Sequence, residues 1–97
     1  MKEQEQSEVR LQAIVHGRVQ GVNFRYYTRR RACELGLTGY VRNLWDRTVE
    51  VVVEGRRTEV QALQAFLNVG PRSAAVTQVE TSWPAPTGEF DRFEVRY

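Results

Sequence analysis

The sequence contains very few of the side chains that usually carry catalysis or bind metal ions. Among its 97 residues there is one cysteine, Cys33, and one histidine, His16. A single cysteine excludes an internal disulfide, and no His, Cys, Asp or Glu residues are spaced as in a metal site. No serine and histidine are arranged as a nucleophile and its base. We therefore expect neither a metal nor another cofactor, and we expect the reducing cytoplasm as the compartment.

Long hydrophobic runs are also missing. No apolar stretch approaches the ~20 residues that a membrane helix needs, and the polar N-terminus does not resemble a secretory signal. Residues 1–7 are rich in Lys, Glu and Gln, which predicts a disordered tail. Residues 8–97 suffice for one domain with a modest core. The net charge of +2 and the pI near 9.0 suit an anionic small molecule as well as nucleic acid.

The spacing of apolar residues predicts the order β-α-β-β-α-β with a short extra strand at the C-terminus. Strands are predicted at 9–15, 38–44, 49–54, 75–83 and 93–97, and helices at 24–35 and 59–69. Gly36 is the predicted end of the first helix, and Thr58 with Gln61 resembles a capping box at the start of the second. This order is that of the ferredoxin-like α+β sandwich, with an antiparallel sheet and two helices on one face.

The predicted topology brings two distant segments together. In a right-handed β-α-β unit the first two strands run parallel, with room for a third strand between them. Their C-terminal ends then lie at one edge of the sheet. The segment after the first strand should therefore lie close to Asn43, which ends the second.

The segment Gly17–Arg25 joins the first strand to the first helix. It reads Gly-Arg-Val-Gln-Gly-Val-Asn-Phe-Arg. Its glycines permit a tight turn whose N–H groups, next to a helix N-terminus, form a concave anion site. The helix dipole disfavours a cation at Arg25, but its planar guanidinium suits two phosphate oxygens. We interpret these residues as a phosphate cradle (residues 17–25), although an ordinary strand-to-helix turn is the alternative.

At these residues the sequence resembles a known family. The cradle, followed by Gly39-Tyr40-Val41-Arg42-Asn43 and by the ending Phe93-Glu94-Val95-Arg96-Tyr97, resembles the signature of the acylphosphatases. The resemblance extends from about Val9 to Tyr97. Two positions depart from it: Asn23 stands where the family more often has a small residue such as glycine, and Asp46-Arg47-Thr48 replaces the more usual Asp-Gly turn. Neither departure removes a residue that is catalytic in the family.

The resemblance implies hydrolysis of an acyl phosphate to a carboxylate and inorganic phosphate. It implies that Arg25 binds the phosphoryl group and that Asn43 orients the attacking water. The phosphate-binding backbone then comprises Arg18, Val19, Gln20, Gly21, Val22 and Asn23. Because the leaving carboxylate has a conjugate acid of pKa about 4, it departs unprotonated. Positioning and positive potential can therefore suffice, which is consistent with the shortage of titratable groups.

Several residues have plainer interpretations. Taken alone, Asn43 is best read as a residue that caps a hairpin. Arg18 is either a substrate contact or a solvated loop residue, and Trp45 is either a lid or loop packing. The run Arg29-Arg30-Arg31 is interpreted as a solvated helix face, and Cys33 as part of the helix packing.

Two other functions share the predicted fold: an RNA-binding module, and a non-catalytic acylphosphatase-like domain of a larger maturation factor. RNA-recognition domains carry aromatic residues on the third strand, whereas Val49–Glu54 has none and contains two carboxylates. No domain follows Tyr97 in the sequence, which favours a free-standing enzyme. We expect a monomer that acts on a small acyl phosphate, has inorganic phosphate as product and inhibitor, and binds no nucleic acid or membrane.

Overall fold

The computed structural model describes residues 7–97, beginning just before strand β1 (Glu8–Arg18). The odd-numbered apolar residues of β1 point into the core, as their alternation predicts: Val9, Leu11, Ala13 and Val15. Of the tail predicted to be disordered, residues 1–6 lie outside the described residues. The carbonyl of Ser7 accepts a hydrogen bond of 3.1 Å from the N–H of Arg57.

The remaining elements follow the predicted order. They are α1 (Phe24–Glu34), β2 (Thr38–Asn43), β3 (Val49–Arg56), α2 (Arg57–Val69), β4 (Ala75–Ser82) and β5 (Phe93–Arg96). The strand order is β4-β1-β3-β2-β5, and β1 and β2 both pair antiparallel with β3. The ferredoxin-like α+β class is confirmed. The sheet is antiparallel except at one edge, where the extra C-terminal strand β5, whose placement the sequence left open, pairs in parallel with β2.

Helix α1 packs on β2 and β5 through a stripe with a spacing of four residues. Its buried side chains are Phe24, Thr28 and Ala32. Cys33 lies off this stripe and is exposed, so its predicted role in helix packing is wrong. Gly36 ends the helix with a left-handed φ of 71°, as predicted.

Helix α2 packs on β1, β3 and β4 through Val60, Leu63 and Leu67. The predicted capping box is wrong, because the helix already begins at Arg57 and the Thr58 hydroxyl donates to the neighbouring Glu59 carboxylate at 2.9 Å. Neither helix within residues 7–97 has the length and apolar character needed to cross a bilayer.

Strand β3 is buried on both faces, which its alternating sequence does not predict. Glu50 and Glu54 are only 7% and 4% exposed. Both are paired: Arg42 Nε lies 2.6 Å from Glu50, and Arg10 Nη1 lies 2.9 Å from Glu54. Burial disfavours the charged form of Glu54, yet N–H groups from the segment 84–92 and the Arg10 side chain together lower its pKa. The segment 84–92 is thereby fastened across the sheet face opposite the helices, and leads into β5.

The hairpin between β2 and β3 contains a strained residue. Arg47 has a φ of 73°, in the left-handed region that costs a non-glycine residue roughly 1–2 kcal/mol. Its side chain is exposed. We therefore expect Arg47→Gly to raise the free energy of unfolding by roughly 1 kcal/mol, which corresponds to about 4–8 °C in Tm for a domain of this size. Thermal unfolding followed by circular dichroism measures the change.

Arg72→Gly is the matched control, because Arg72 is also exposed in a turn but has no positive φ. Glycine there should lower the stability slightly, since it only adds freedom to the unfolded chain. Equal destabilisation by both substitutions would contradict the strain at Arg47.

Candidate active site

Strand β1 turns into the cradle at Gly17. The register of β1 against β4 shifts between His16 and Gly17. Gly17 has a φ of 117°, and a Cβ at this position would overlap the carbonyl oxygen of Ala75 on β4. Only glycine fits such a close approach of two backbones, so this position fixes where the strand bends into the loop.

The loop at residues 19–23 presents free backbone donors. Val19 and Val22 anchor it in the core, whereas Gly21 and Asn23 are exposed. The N–H groups of residues 20–23 donate to no oxygen within residues 7–97. Unpaired N–H groups that lead into a helix N-terminus suit an anion.

Asn23 occupies the N-cap position of α1 with φ 61° and ψ 27°. This left-handed conformation is strained for most residues and easiest for Gly and Asn. The departure of Asn23 from the family pattern therefore keeps the backbone conformation that glycine would adopt.

Arg25 lies in the first turn of α1, which contains no acidic residue. It forms no ion pair with any carboxylate of residues 7–97. Its guanidinium carbon lies 4.7 Å from the centre of the Tyr97 ring. The ring can fix the plane of the guanidinium and leave its N–H groups free for another partner.

Asn43 is the last residue of β2. Its side-chain oxygen Oδ1 is buried and has no hydrogen-bond partner within residues 7–97. Leaving a buried acceptor unpaired costs about 1–3 kcal/mol, so such groups are uncommon and concentrate at functional sites. Thr28 Oγ1 on α1 is the other such atom in residues 7–97, so the unpaired oxygen gives Asn43 an unused acceptor and does not by itself assign it a role.

The hairpin after Asn43 is held by two sets of hydrogen bonds. Within it, the N–H of Leu44 donates to Thr48 O at 2.9 Å, and Asp46 Oδ1 accepts from the Thr48 hydroxyl at 2.6 Å. This hydroxyl, and then the Thr48 N–H, lower the pKa of Asp46. From the cradle, the side-chain nitrogen of Gln20 donates to Leu44 O and Thr48 O, both at 2.9 Å.

These segments surround one cavity of about 680 Å³. Its lining residues are Val19, Gly21, Asn23, Phe24, Arg25, Tyr26, Arg29, Asn43, Arg92, Phe93, Glu94, Val95 and Tyr97. The charged side chains among them are three arginines and one glutamate, so the lining favours an anion. Residues 7–97 contain no group of three or more His, Cys, Asp or Glu side chains placed to hold a metal ion.

The structure brings Arg25 and Asn43 into the same cavity, together with the predicted cradle residues Val19, Gly21 and Asn23. The other three predicted residues do not line it. Arg18 is exposed at the end of β1, the side chain of Gln20 turns to the hairpin, and Val22 is buried.

Trp45, whose role the sequence left open, and the single histidine, His16, also lie outside the cavity lining. Trp45 is 94% exposed in the hairpin, and His16 contacts Glu80 on β4.

Sequence reasoning missed the wall that β5 and Tyr97 contribute. The parallel pairing of β5 with β2 brings Phe93, Glu94 and Val95 beside the cradle. No sequence pattern within β5 predicts which strand it pairs with. Arg29 was also missed. Its spacing of four residues from Arg25 would have signalled a shared helix face.

Comparison with known proteins gives consistent results. The model of the family described as Acylphosphatase matches residues 11–95. An acylphosphatase of Pasteurella multocida is 49% identical over 86 residues, which are 89% of this chain and 96% of that protein. A solved acylphosphatase from Coxiella burnetii superposes with a TM-score of 0.88 at 38% identity, covering 99% of this chain and 100% of that one. A structure of T. kodakarensis HypF has a TM-score of 0.79 at 34% identity, covering 92% of this chain and 12% of that chain.

Fold and cavity define a ferredoxin-like domain in which a loop of unpaired N–H groups and an arginine face a strand-end asparagine. The chain belongs to the acylphosphatase family. It is a hydrolase whose substrates are small acyl phosphates. The matches do not favour the alternatives of a non-catalytic or an RNA-binding module.

Proposed function

We propose that the cradle binds the phosphoryl group of the acyl phosphate and that Asn43 positions the water that attacks it. In this proposal Arg25 and the backbone N–H groups from Arg18 to Asn23 hold the phosphoryl oxygens. The observation that carries it is the shared cavity. It contains Arg25, which pairs with no carboxylate of residues 7–97, and Asn43, whose buried Oδ1 has no partner there.

The phosphate site acts through positive potential. As the bond between phosphorus and the acyl oxygen breaks, charge grows on the three equatorial phosphoryl oxygens. Donors already fixed at those oxygens stabilise this charge without reorganising, which is the usual source of large rate effects. A planar guanidinium can donate to two of the oxygens at once.

The water site acts through orientation. The amide oxygen of Asn43 can accept a hydrogen bond from a water molecule and aim its lone pair at phosphorus. An amide is a poor base, so the proton passes to a phosphoryl oxygen of the substrate. The new bond joins the water oxygen to phosphorus, and the electrons of the broken bond leave with the carboxylate.

The expected partners and compartment are part of the proposal. We propose a monomer. We also infer that the protein has no nucleic-acid partner, because both carboxylates of β3 are buried in ion pairs on the face that RNA-recognition domains use for stacking. We place it in the cytoplasm, where its exposed thiol Cys33 would stay reduced.

Steady-state hydrolysis of benzoyl phosphate, with inorganic phosphate added as inhibitor, tests the cradle. Phosphate should raise the apparent KM without changing kcat, because product and substrate share the same donors. A phenyl phosphate control should be hydrolysed far more slowly, because its phenoxide leaving group, with a conjugate acid of pKa about 10, is poorer than a carboxylate. Inhibition by phosphate that lowers kcat and leaves KM unchanged would place phosphate elsewhere.

Activity should survive exhaustive treatment with EDTA, and added Mg²⁺ should change kcat/KM by less than about twofold. The reason is chemical: the leaving carboxylate needs no Lewis acid, and the cavity lining offers a single carboxylate, Glu94, as a hard-cation ligand. The measurement compares rates before and after chelation in one preparation. Loss of activity that a divalent metal restores would show that a metal takes part.

A further inference from the structure

The side chain of Gln20 bridges the two halves of the proposed site. Gln20 belongs to the cradle, and its Nε2 donates to the carbonyls of Leu44 and Thr48 at 2.9 Å each. These carbonyls belong to the hairpin that starts directly after Asn43. A single amide group thus uses both of its N–H donors on a segment more than 20 residues away.

The hairpin does not need Gln20 to satisfy its own backbone. The carbonyl of Thr48 also accepts from the Leu44 N–H at 2.9 Å, and the carbonyl of Leu44 accepts from the Arg47 N–H at 3.2 Å. Removal of the Gln20 donors would leave both carbonyls with a partner. The main effect of the two Gln20 hydrogen bonds is therefore to fix the distance between the hairpin and the cradle. They are not needed to satisfy the backbone of the hairpin.

We infer that Gln20 is a positioning residue, whose side chain holds Asn43 at the correct distance from the phosphoryl group in the cradle. The inference depends on the proposed function, because it assigns Gln20 an effect that acts only through Asn43. A displacement of about 1 Å in a reacting group can reduce a rate up to about 100-fold. If Asn43 shifted, the attacking water would be misplaced and kcat would fall. The N–H groups that bind phosphate would not change.

The test is a double-mutant cycle with Gln20→Met and Asn43→Ala. Methionine has nearly the length of glutamine and no donors. We expect Gln20→Met alone to lower kcat about 10- to 100-fold. The inhibition constant of inorganic phosphate should change by less than about twofold. In the Asn43→Ala background the same substitution should lower kcat by less than about threefold, because the group on which it acts is gone.

Gln12→Met is the matched control, because Gln12 also loses a side-chain hydrogen bond, to Glu50 at 3.3 Å, but on the far face of the sheet. Its kcat should stay near that of the wild type. If Gln20→Met does not fold, Gln20→Leu, which also lacks the donors and adds no charge, replaces it with the same expectations. An equal loss of kcat in both backgrounds, or a weakened inhibition constant for phosphate, would overturn the inference. If Asn43→Ala itself leaves kcat unchanged, the proposed function fails instead.

A different observation concerns the three consecutive arginines of α1. Arg30 Nε and Arg31 Nη1 lie 3.7 Å and 3.5 Å from the Glu34 carboxylate, away from the cavity. Arg29 lines the cavity and forms no ion pair within residues 7–97. It lies one helical turn beyond Arg25, on the same face of the helix.

The cavity has room for more than a phosphoryl group. Its volume of about 680 Å³ lies within the range of sites that enclose small organic molecules. Across the cavity, Arg92 Nε lies 3.6 Å from the Glu94 carboxylate, which partly neutralises its charge. If Arg25 binds the phosphoryl group, Arg29 is the remaining cavity arginine whose charge is available to a second anionic group. The Cβ atoms of residues four apart on a helix are about 5–6 Å from each other, a separation that a short acyl chain can span.

We propose that Arg29 binds a second anionic group on the acyl part of the substrate. The favoured substrate class is then an acyl phosphate with a carboxylate or phosphate a few bonds from its carbonyl. This proposal also depends on phosphoryl binding at Arg25. All three arginines are exposed, as the interpretation of the run as a solvated helix face predicts, and the proposal adds a binding role for Arg29 alone.

The test compares kcat/KM for succinyl phosphate with that for 4-methylpentanoyl phosphate, a neutral analogue of similar shape. Because exposed ion pairs are weak and screened by salt, we expect Arg29→Gln to reduce this ratio about two- to fivefold. Arg29→Lys should keep most of the preference. 3-Phosphonopropanoyl phosphate in place of succinyl phosphate shows whether a phosphate-like group is preferred to a carboxylate.

Arg30→Gln is the control on the same helix and should leave the ratio unchanged. Equal ratios in wild type and Arg29→Gln, or the same decrease in Arg30→Gln, would refute the assignment. Hydrolysis of the neutral substrate by Arg29→Gln at the wild-type rate would meanwhile show that the phosphoryl site works, so the two proposals fail separately.

Discussion

Arg25→Lys is expected to lower kcat/KM about 100- to 1,000-fold, which is the size of effect seen when a fixed donor to a developing oxyanion is removed. Lysine keeps the charge but offers a point charge in place of a planar fork, so it cannot donate to two phosphoryl oxygens in the same plane. It also loses the flat contact with the Tyr97 ring, whose centre lies 4.7 Å from the guanidinium carbon. The inhibition constant of inorganic phosphate should weaken as well, because the same donors hold the product.

The measurement is steady-state kinetics on benzoyl phosphate with thermal unfolding as a control for folding. Arg25 pairs with no carboxylate of residues 7–97, so its replacement should leave the unfolding temperature within a few degrees of wild type. Arg30→Lys on the outer face of the helix is the matched substitution and should keep full activity. A value of kcat/KM near wild type in Arg25→Lys would remove Arg25 from the phosphate site.

Asn43→Ala is expected to lower kcat about 100-fold or more, because the attacking water loses the acceptor that orients it. An interaction used mainly in the transition state lowers kcat and kcat/KM together. The inhibition constant of phosphate should change by less than about twofold, since Arg25 and the cradle N–H groups remain. Stability should not fall, because the Oδ1 atom that is removed has no partner within residues 7–97.

Asn68→Ala on α2 serves as the control, since Asn68 is exposed and does not line the cavity. Three results distinguish the roles of Asn43. A lower kcat with unchanged phosphate inhibition supports water positioning. An unchanged kcat with weaker inhibition would make Asn43 an anion ligand, and no change in either would return it to a residue that caps the hairpin.

Local patterns were sufficient for most of the fold. The alternation in β1 and the break at Gly36 are properties of neighbouring residues, so they can be read without tertiary information. The capping box at Thr58 failed because the helix begins at Arg57, two residues before its predicted start at residue 59, and the Thr58 hydroxyl donates to Glu59 instead. A side chain at the start of a helix can form hydrogen bonds of similar energy with several local partners. The surrounding packing determines which of these bonds forms.

For β3, the burial predicted from the sequence differs more strongly from the burial in the structure. In its sequence Val49, Val51 and Val53 alternate with Glu50, Val52 and Glu54, which predicts one wet face, yet both glutamates are buried. The carboxylates are satisfied by Arg42 and Arg10 from neighbouring strands and by the segment 84–92. Such partners are remote in sequence, so no pattern within β3 could reveal that its outer face is covered.

The sequence by itself determined the order of elements, the family, and the two residues, Arg25 and Asn43, proposed to carry the chemistry. The order of elements could be read because local backbone geometry constrains a strand-to-helix turn and a right-handed crossover. The family and the roles of Arg25 and Asn43 came from the resemblance of residues 17–25 and 39–43 to the acylphosphatase signature. Only the tertiary structure decided what surrounds those residues: the bridge from Gln20 to the hairpin, the orphaned oxygen of Asn43, and the cavity wall from β5 to Tyr97. These features depend on contacts between residues more than 20 positions apart, whose distances are set by the packing of the whole sheet.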